Sequence, residues 1–227
     1  AIPDFQNPTG LTYSLENRNC IYEILKDYEI VLIEDDPYGE LRFDGVRLPY
    51  IGAGRLPGSI LLGTFSKTVT PGMRVGFVIC ADQELLKHIS VAKEASDLHT
   101  NIFAQYLIWD YLKHNDYEAH IAKIKQLYKE QAQAMMDAME RYFPPTVQYT
   151  RPQGGMFLWV TLPEGVSSLS LLPKALDKKV AFVPGDPFYI NRKNTNTMRL
   201  NYTNADCETI DEGIRRLGDL LKELSVQ

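Results

Sequence analysis

A lysine and an arginine flank short apolar runs in one segment of this sequence. Lys67 follows the run at 60–64 and lies among small hydroxyl residues, which include Thr64 and Ser66, with Arg74 seven positions later. A lysine amine can attack an aldehyde, and an arginine beside hydroxyl groups can bind a phosphate through paired hydrogen bonds. The P-loop spacing of glycine and lysine is missing. The segment therefore predicts a phosphate-binding site with a nucleophilic lysine, and an exposed loop lysine is the alternative.

A cluster of three acids follows another apolar run. Glu34 ends the apolar run at 29–34, and Asp35 and Asp36 follow it directly. Tyr38 comes two residues after Asp36. Ligands of open α/β sheets bind outside the carboxyl ends of strands. Three adjacent carboxylates repel one another unless a cation lies nearby. We expect a cationic ligand group here, with a solvated loop as the alternative.

Two further polar segments are candidates for binding. The segment 6–10, which contains Asn7, has the composition of a turn. Arg199 lies between Met198 and Leu200 in a predicted strand, and burying a guanidinium is costly unless it has a partner. A substrate carboxylate would supply that partner, and so would a structural salt bridge with an aspartate or glutamate.

The first part of the chain, residues 1–115, is predicted to be α/β. Ser14 can cap a helix at about 15–27. The nearly continuous apolar runs at 29–34, 60–64 and 75–80 are typical of buried, mainly parallel strands with helices between them.

The second part, residues 116–227, begins with a long predicted helix at 116–142. The rest is predicted to form a smaller α+β domain, with strands at 146–150, 156–161, 179–183 and 198–203 and helices at 168–178 and 205–224.

Composition excludes several classes of function. The net charge is −5 and no long basic block occurs, which argues against nucleic acid as the main partner. No apolar run approaches the ~20 residues that cross a bilayer. The 3 cysteines form no C-x-x-C pair and the 4 histidines do not cluster, so we expect no metal and no disulfide. Reduced thiols predict a cytoplasmic protein.

Because the chain starts without methionine in what reads as the tail of a strand, we expect a fragment, a cleaved chain or a truncation.

Four motifs in order resemble the fold-type-I aminotransferases of class I/II, which share the aspartate aminotransferase architecture. They are N-P-T-G, D-x-x-Y, S-K and R-L-N-Y, and the resemblance covers essentially the whole chain. The wording EDDPYGELRF and GTFSKTVTPGMRVG is most similar to the branch that contains 2-aminoadipate and aromatic aminotransferases. That branch also includes the aminotransferase-like halves of MocR-type regulators.

The resemblance implies pyridoxal 5′-phosphate as cofactor and assigns roles around it. Lys67 matches the lysine that forms the Schiff base and afterwards moves the substrate's proton. Asp35 matches the aspartate that pairs with the pyridine nitrogen, since the D-x-x-Y spacing selects it over Asp36. Asn7 and Tyr38 match the residues that hydrogen-bond the phenolic oxygen.

Thr64, Ser66 and Arg74 match positions around the phosphate. The family often has serine at the position of Thr64, and Ser66 has the alternative role of shaping the turn. Arg199 matches the arginine that binds the substrate α-carboxylate, with Asn7 beside it. The glycine turn at 154–157 and the loop at 184–188 resemble small-domain elements, interpreted as scaffold and rim.

The implied protein is an α/β enzyme with a partial large domain, a mainly parallel sheet and a small C-terminal domain. It would transfer an amino group between an amino acid and a 2-oxo acid, usually as a homodimer. In this family a segment before N-P-T-G supplies the rest of the phosphate cup and the aromatic ring that stacks on the cofactor. That segment is not in this sequence, so we expect residues 1–227 alone to retain the cofactor weakly or not at all. The alternatives are a regulator's effector-binding module and another fold-type-I reaction, such as a lyase.

Overall fold

A computed structural model describes residues 1–191 and 195–225, with the side chains of 224 and 225 left out, and the chain divides into two units. The first unit comprises Ala1–Asp4 and Thr12–Ile124, and the second comprises Phe5–Leu11 and Lys125–Gln227. The boundary lies within a continuous helix, where helical periodicity carries no signal of a division. The division at residue 115 therefore stays a sequence-based prediction.

The first unit combines a small sheet with four helical segments. Its elements are α1 (Leu15–Leu25), β1 (Leu32–Asp35), β2 (Ser59–Thr64), β3 (Gly76–Cys80), α2 (Gln83–Asp97), α3 (Ile102–His114) and the first turns of α4 (Tyr117–Tyr142). The side chain of Ser14 accepts a hydrogen bond from the Asn17 amide, which confirms the predicted helix start.

The three strands form a sheet in the order β1-β2-β3. β1 and β2 are parallel, with Asp35 opposite Leu62, whereas β2 and β3 are antiparallel, with Thr64 opposite Gly76. The segment 65–75 joins the last two strands, and it is too short for the helical crossover that a parallel pair requires. The carboxyl ends of β1 and β2 and the start of β3 consequently share one edge of the sheet.

Asp4, Arg18 and Arg42 form a buried cluster of ion pairs inside the first unit. Asp4 Oδ1 lies 2.8 Å from Arg18 Nη2 and 2.8 Å from Arg42 Nη2, and the Arg18 side chain is completely buried. Arg18 also donates to the carbonyl oxygens of Tyr13 and Pro49, at 3.0 and 2.9 Å. These contacts join the two parts of the first unit that precede and follow residues 5–11.

The second unit contains a four-stranded antiparallel sheet in the order β4-β5-β7-β6. Its elements are the remainder of α4, β4 (Gln148–Tyr149), β5 (Phe157–Thr161), α5 (Ser168–Asp177), β6 (Val183–Pro184), β7 (Thr197–Asn201) and α6 (Cys207–Ser225). One face of α6 is buried in the core: Ile210, Ile214, Leu217 and Leu221. This stripe confirms the predicted C-terminal helix.

The strand predicted at 179–183 is the main difference in the second unit. Lys179 has φ 63°, and the Val180 amide donates to Ala175 O at 2.9 Å, so these residues close the end of α5. Only Val183–Pro184 pair with β7.

The predicted fold class is confirmed. An α/β first unit and an antiparallel α+β second unit are joined by the long helix α4, predicted at 116–142 and observed at Tyr117–Tyr142. Within residues 1–191 and 195–225, no helix has the length and apolar character to cross a bilayer.

Candidate active site

The three consecutive acids at the end of β1 have three different environments. Glu34 is completely buried, and its carboxylate accepts hydrogen bonds from the backbone amides of Ile51, Gly52 and Ala53 at 2.6, 2.8 and 2.8 Å. Three amide donors satisfy this buried charge without a cation. Glu34 therefore anchors the loop that follows residue 43 and is not available for a ligand.

Asp36 is also satisfied within the chain. Its carboxylate accepts a hydrogen bond from the Gly39 amide at 2.7 Å and another from the Tyr50 hydroxyl at 2.8 Å. Burial raises the pKa of Asp36, while both hydrogen bonds act in the opposite direction.

Asp35 points to the other face of the sheet, because successive strand side chains alternate. Its carboxylate has no hydrogen-bond or ion-pair partner among the residues that the structure describes. Partial burial raises the pKa of Asp35, since the charged form loses water, and the positive charge of the Ala1 amine acts in the opposite direction. A cationic ligand group would complete this site. Asp35 and Asp36 therefore have different environments in the structure. The D-x-x-Y spacing also distinguishes them, and it selects Asp35.

Lys67 lies in the turn after β2. The Ser66 amide donates to Thr64 Oγ1 at 3.1 Å, and Thr64 Oγ1 lies 3.5 Å from Val75 O, so the Thr64 hydroxyl helps to shape this turn. Lys67 is partly exposed, and within the described ranges its amine makes no hydrogen bond or salt bridge.

Arg74 precedes β3 and is exposed. Its backbone is in the left-handed region, with φ 54°, and Nη1 lies 3.3 Å from Pro71 O. Among the residues that the structure describes, its guanidinium makes one long hydrogen bond, which leaves most of its five donors for a ligand.

Strand direction places these side chains at one edge of the first unit. Asp35 ends β1, Thr64 ends the parallel strand β2, Lys67 follows it, and Arg74 comes just before the antiparallel strand β3. Tyr38 is buried at the same end of β1, where it starts a short 3-10 turn. The edge offers a carboxylate, an amine, a guanidinium and hydroxyl groups. This donor set fits a ligand that has a protonated ring nitrogen, an aldehyde and a phosphate, as pyridoxal phosphate has.

A cavity of about 310 Å³ lies on the Asp36 side of the sheet. Its polar walls include Asp36, Glu40 and Tyr50, and its apolar walls include Phe77 and Leu112. Of the residues assigned to the cofactor by resemblance, Thr64 also lines this cavity, whereas Asp35, Lys67 and Arg74 are not among its lining residues.

Arg199 lies on β7, an inner strand of the sheet in the second unit. Its Nη1 donates to Asn7 Oδ1 at 2.6 Å, and its guanidinium lies 4.3 Å from the ring centre of Phe157 and 5.4 Å from that of Phe188. Cation–π contacts with two rings hold a guanidinium without neutralising its charge. The structure therefore brings Asn7 and Arg199 together, although 192 positions separate them.

The turn around Asn7 is fixed by a glycine. Gly10 has φ 69°, and a Cβ at this position would lie 2.5 Å from Phe157 O. Thr150 Oγ1 donates to Thr9 O at 2.8 Å and thus ties the turn to the sheet. The N-P-T-G segment is a turn, as its composition predicts, and this turn presents Asn7 to Arg199.

Phe157 and Phe188 are contacts that sequence reasoning missed, because their segments were interpreted as scaffold and rim. Phe157 pairs with Asn201 and lies diagonally from Arg199 on the same face of the sheet. The alternation of side chains along β5 shows which of them share a face of the sheet. Which residues of β7 they face depends on the register between the two strands, which the sequence does not provide.

Comparison with known proteins identifies the family. Residues 2–217 match the model of the family described as aminotransferase class I and II. The aromatic-amino-acid aminotransferase 1 of Thermococcus litoralis is 43% identical over 98% of this chain and 53% of its own length. The solved structure of LysN, an alpha-aminoadipate aminotransferase from Thermus thermophilus complexed with N-(5′-phosphopyridoxyl)-L-leucine, is 43% identical. The structural match covers 99% of this chain and 58% of the LysN chain, with a TM-score of 0.92.

A regulator is also similar to this chain. The helix-turn-helix-type transcriptional regulator YdfD of Bacillus subtilis is 30% identical over 98% of the chain and 46% of its own length. The chain spans about half the length of the curated relatives it matches. The family match includes both units and every motif from N-P-T-G to R-L-N-Y, so the chain belongs to the class I and II aminotransferases.

Proposed function

We propose that this chain carries the cofactor lysine and the substrate arginine of a pyridoxal-phosphate-dependent aminotransferase. The complete protein would exchange an amino group between an amino acid and a 2-oxo acid. The observation that supports this most is the set of groups at one edge of the first unit. There Asp35 and Lys67 lack partners in the described part of the chain, while neighbouring buried charges have them.

Lys67 would have two tasks. Its amine would hold the cofactor at the aldehyde carbon until a substrate amine takes that place. The freed Lys67 amine would then take the proton from the substrate Cα and return a proton at a later point in the reaction. Pyridoxal phosphate supplies an electron-withdrawing ring that stabilises negative charge at Cα.

Asp35 would hold a proton on the pyridine nitrogen. A partly buried carboxylate without a protein donor favours a cationic partner, and burial raises the pKa of Asp35. Tyr38 and Asn7 would donate to the phenolic oxygen. Thr64, Ser66 and Arg74 would bind the phosphate through hydroxyl groups and a guanidinium.

Arg199 would bind the α-carboxylate of the substrate. Its hydrogen bond to Asn7 and its two ring contacts hold the guanidinium plane before the substrate arrives. A guanidinium held in this way loses less conformational entropy on binding and can form two parallel hydrogen bonds to a carboxylate.

The test is turnover by the complete protein as expressed from its gene. It is mixed with pyridoxal phosphate, glutamate and a panel of 2-oxo acids that includes 2-oxoadipate and aromatic 2-oxo acids, and the new amino acid is quantified. We expect transfer that depends on both substrates. Release of ammonia or carbon dioxide instead would replace the proposal with a lyase.

A regulatory module is the second candidate, because the regulator YdfD matches almost the whole of this chain. It would bind the cofactor with little turnover. Cofactor binding without amino transfer, together with a DNA-binding segment in the complete protein, would favour it. The family also supports a homodimer that acts on small molecules, and reduced thiols support a cytoplasmic location. Sedimentation of the complete protein tests the dimer.

A further inference from the structure

A closed ring of polar contacts surrounds the turn after β1. We call this ring the Asp36 brace and define it as Asp36, Gly39, Glu40, Arg47 and Tyr50. Asp36 accepts from the Gly39 amide and the Tyr50 hydroxyl, at 2.7 and 2.8 Å. Arg47 Nη2 donates to Tyr50 Oη at 2.8 Å, and Nη1 donates to Glu40 Oε1 at 3.0 Å. Since Glu40 adjoins Gly39, the contacts form a closed loop.

The brace holds the backbone on both sides of Tyr38. The Asp36 amide donates to Leu62 O at 3.0 Å, which extends the β1–β2 ladder by one residue beyond Asp35. On the other side, the Leu41 amide donates to Tyr38 O at 2.8 Å within the short 3-10 turn. Asp36 therefore connects the last strand residue to the turn that carries Tyr38.

Gly39 shows how closely the parts of the brace fit. A Cβ at this position would lie 2.4 Å from Asp36 Oδ1, so no other residue leaves room for the carboxylate. The carboxylate occupies the space of the missing side chain, and the geometry of the turn depends on both residues.

We propose that Asp36 and Tyr50 are positioning residues, whose brace fixes the orientation of Asp35 and Tyr38 toward the cofactor without contacting it. The inference rests on the proposed function, because Asp35 and Tyr38 matter to catalysis only if the cofactor binds at this edge. Asp36 and Asp35 project from opposite faces of the same strand, so Asp36 acts through the backbone.

The experiment compares four variants of the complete protein with the wild type: Tyr50→Phe, Asp36→Ala, Asp36→Asn and the control Tyr28→Phe. Tyr28 is 64% exposed and lies outside the brace. The Tyr50→Phe variant loses only the hydroxyl that donates to Asp36. Asparagine keeps an oxygen that can accept from Gly39, whereas alanine does not.

The first measurement is amide hydrogen exchange in the cofactor-free protein. We expect the Gly39 amide to exchange about tenfold faster in Asp36→Ala, because it loses its acceptor, and close to the wild-type rate in Asp36→Asn. Unchanged exchange in Asp36→Ala would contradict the brace itself, whatever the protein's activity.

The second measurement is the visible absorbance of the bound cofactor as a function of pH, with kcat and KM determined separately. We expect Tyr50→Phe and Asp36→Ala to shift the midpoint of the pH titration and to lower kcat about tenfold, with a smaller change in KM. Asp36→Asn should restore most of the loss, and Tyr28→Phe should match the wild type. A purely structural brace would lower the melting temperature and leave the midpoint and kcat unchanged, which would overturn the positioning role.

The wild type separates this inference from the proposed function. If the wild-type protein forms no cofactor band that depends on Lys67, the proposed function fails and the positioning role fails with it. If the band is present and insensitive to the brace, only the positioning role is wrong.

Discussion

The two units of this chain differ in whether their partly buried charged side chains have partners. In the second unit, Arg199 is already held by Asn7 Oδ1 and by the rings of Phe157 and Phe188. In the first unit, the Asp35 carboxylate and the Lys67 amine make no hydrogen bond or salt bridge within the described ranges, although the nearby acids Glu34 and Asp36 are satisfied. One unit has an arginine fixed in advance, and the other leaves a carboxylate and an amine for the ligand.

The difference follows from what each group has to do. A guanidinium that recognises a carboxylate benefits from a fixed plane, and neutral partners fix it without cancelling its charge. An amine that forms a covalent bond and carries protons must move, so a permanent partner would compete with its function. Unpaired charges cost stability, and proteins accept this cost at functional sites.

The largest expected effect concerns the unpaired amine. Replacing Lys67 with alanine should lower kcat by roughly 10²–10⁴-fold and abolish the Lys67-dependent absorbance band, because the amine is both nucleophile and proton carrier. Steady-state kinetics and absorbance of the complete protein measure both effects. The control is Lys93→Ala, which removes an exposed lysine that pairs with Asp97 on α2. Turnover by the Lys67 variant at the wild-type rate would contradict the assignment.

The next effect concerns the paired charges inside the first unit. Asp4→Ala should lower the free energy of unfolding by about 3–5 kcal/mol, because it leaves Arg18 and Arg42 buried without their carboxylate. Urea denaturation measures the loss. The matched control is Glu212→Gln on α6, whose surface pairs with Arg215 and Arg216 should matter little. Equal losses in both variants would mean that burial does not distinguish these ion pairs.

A smaller effect is expected at the fixed guanidinium. Arg199→Lys keeps the charge but loses the planar pair of donors and the ring contacts, so KM for the amino acid should rise roughly 10- to 100-fold. Kinetics at saturating cofactor test this, with Arg215→Lys on the surface of α6 as control. An unchanged KM would show that the contacts with Asn7 and the two rings serve the fold alone.

The smallest effect is a dependence of stability on pH. Burial raises the pKa of Asp35 above its unfolded value of about 3.9, so its contribution favours folding below that value and is lost as the pH rises through the folded pKa. Without cofactor, Asp35→Asn should therefore gain stability relative to the wild type on going from acid to neutral pH. Urea denaturation at several pH values measures the difference.

Asp206 supplies a control of opposite sign in the second unit. Hydrogen bonds from Thr209 lower the pKa of Asp206, so its contribution is present above the unfolded value and is lost as the pH falls. The Asp206→Asn variant should lose stability relative to the wild type over the same pH range. Identical trends for both variants would contradict the contrast between the two units.

Much of the chain was predictable from residue patterns alone. The cap at Ser14, the three apolar strands of the first unit and the stripe on α6 follow from local periodicity and side-chain chemistry. The four motifs and their order identified the family, which the match over residues 2–217 confirms. The roles of Lys67, Asp35, Arg74 and Arg199 remain predictions that the experiments above test.

Other features were decided only by the tertiary structure. The residue types alone did not distinguish Glu34, Asp35 and Asp36, and only the family's D-x-x-Y motif selected Asp35, because a local pattern does not reveal which face of a strand meets which loop. Packing determined that backbone amides of 51–53 satisfy Glu34, that Gly39 and Tyr50 satisfy Asp36, and that Asp35 is left unpaired among the described residues. The aromatic contacts of Arg199 likewise depend on the register between β5 and β7. Hydrogen bonds between distant segments form only when the chain is folded, so composition and spacing specify the elements, whereas long-range packing specifies the partner of each charge.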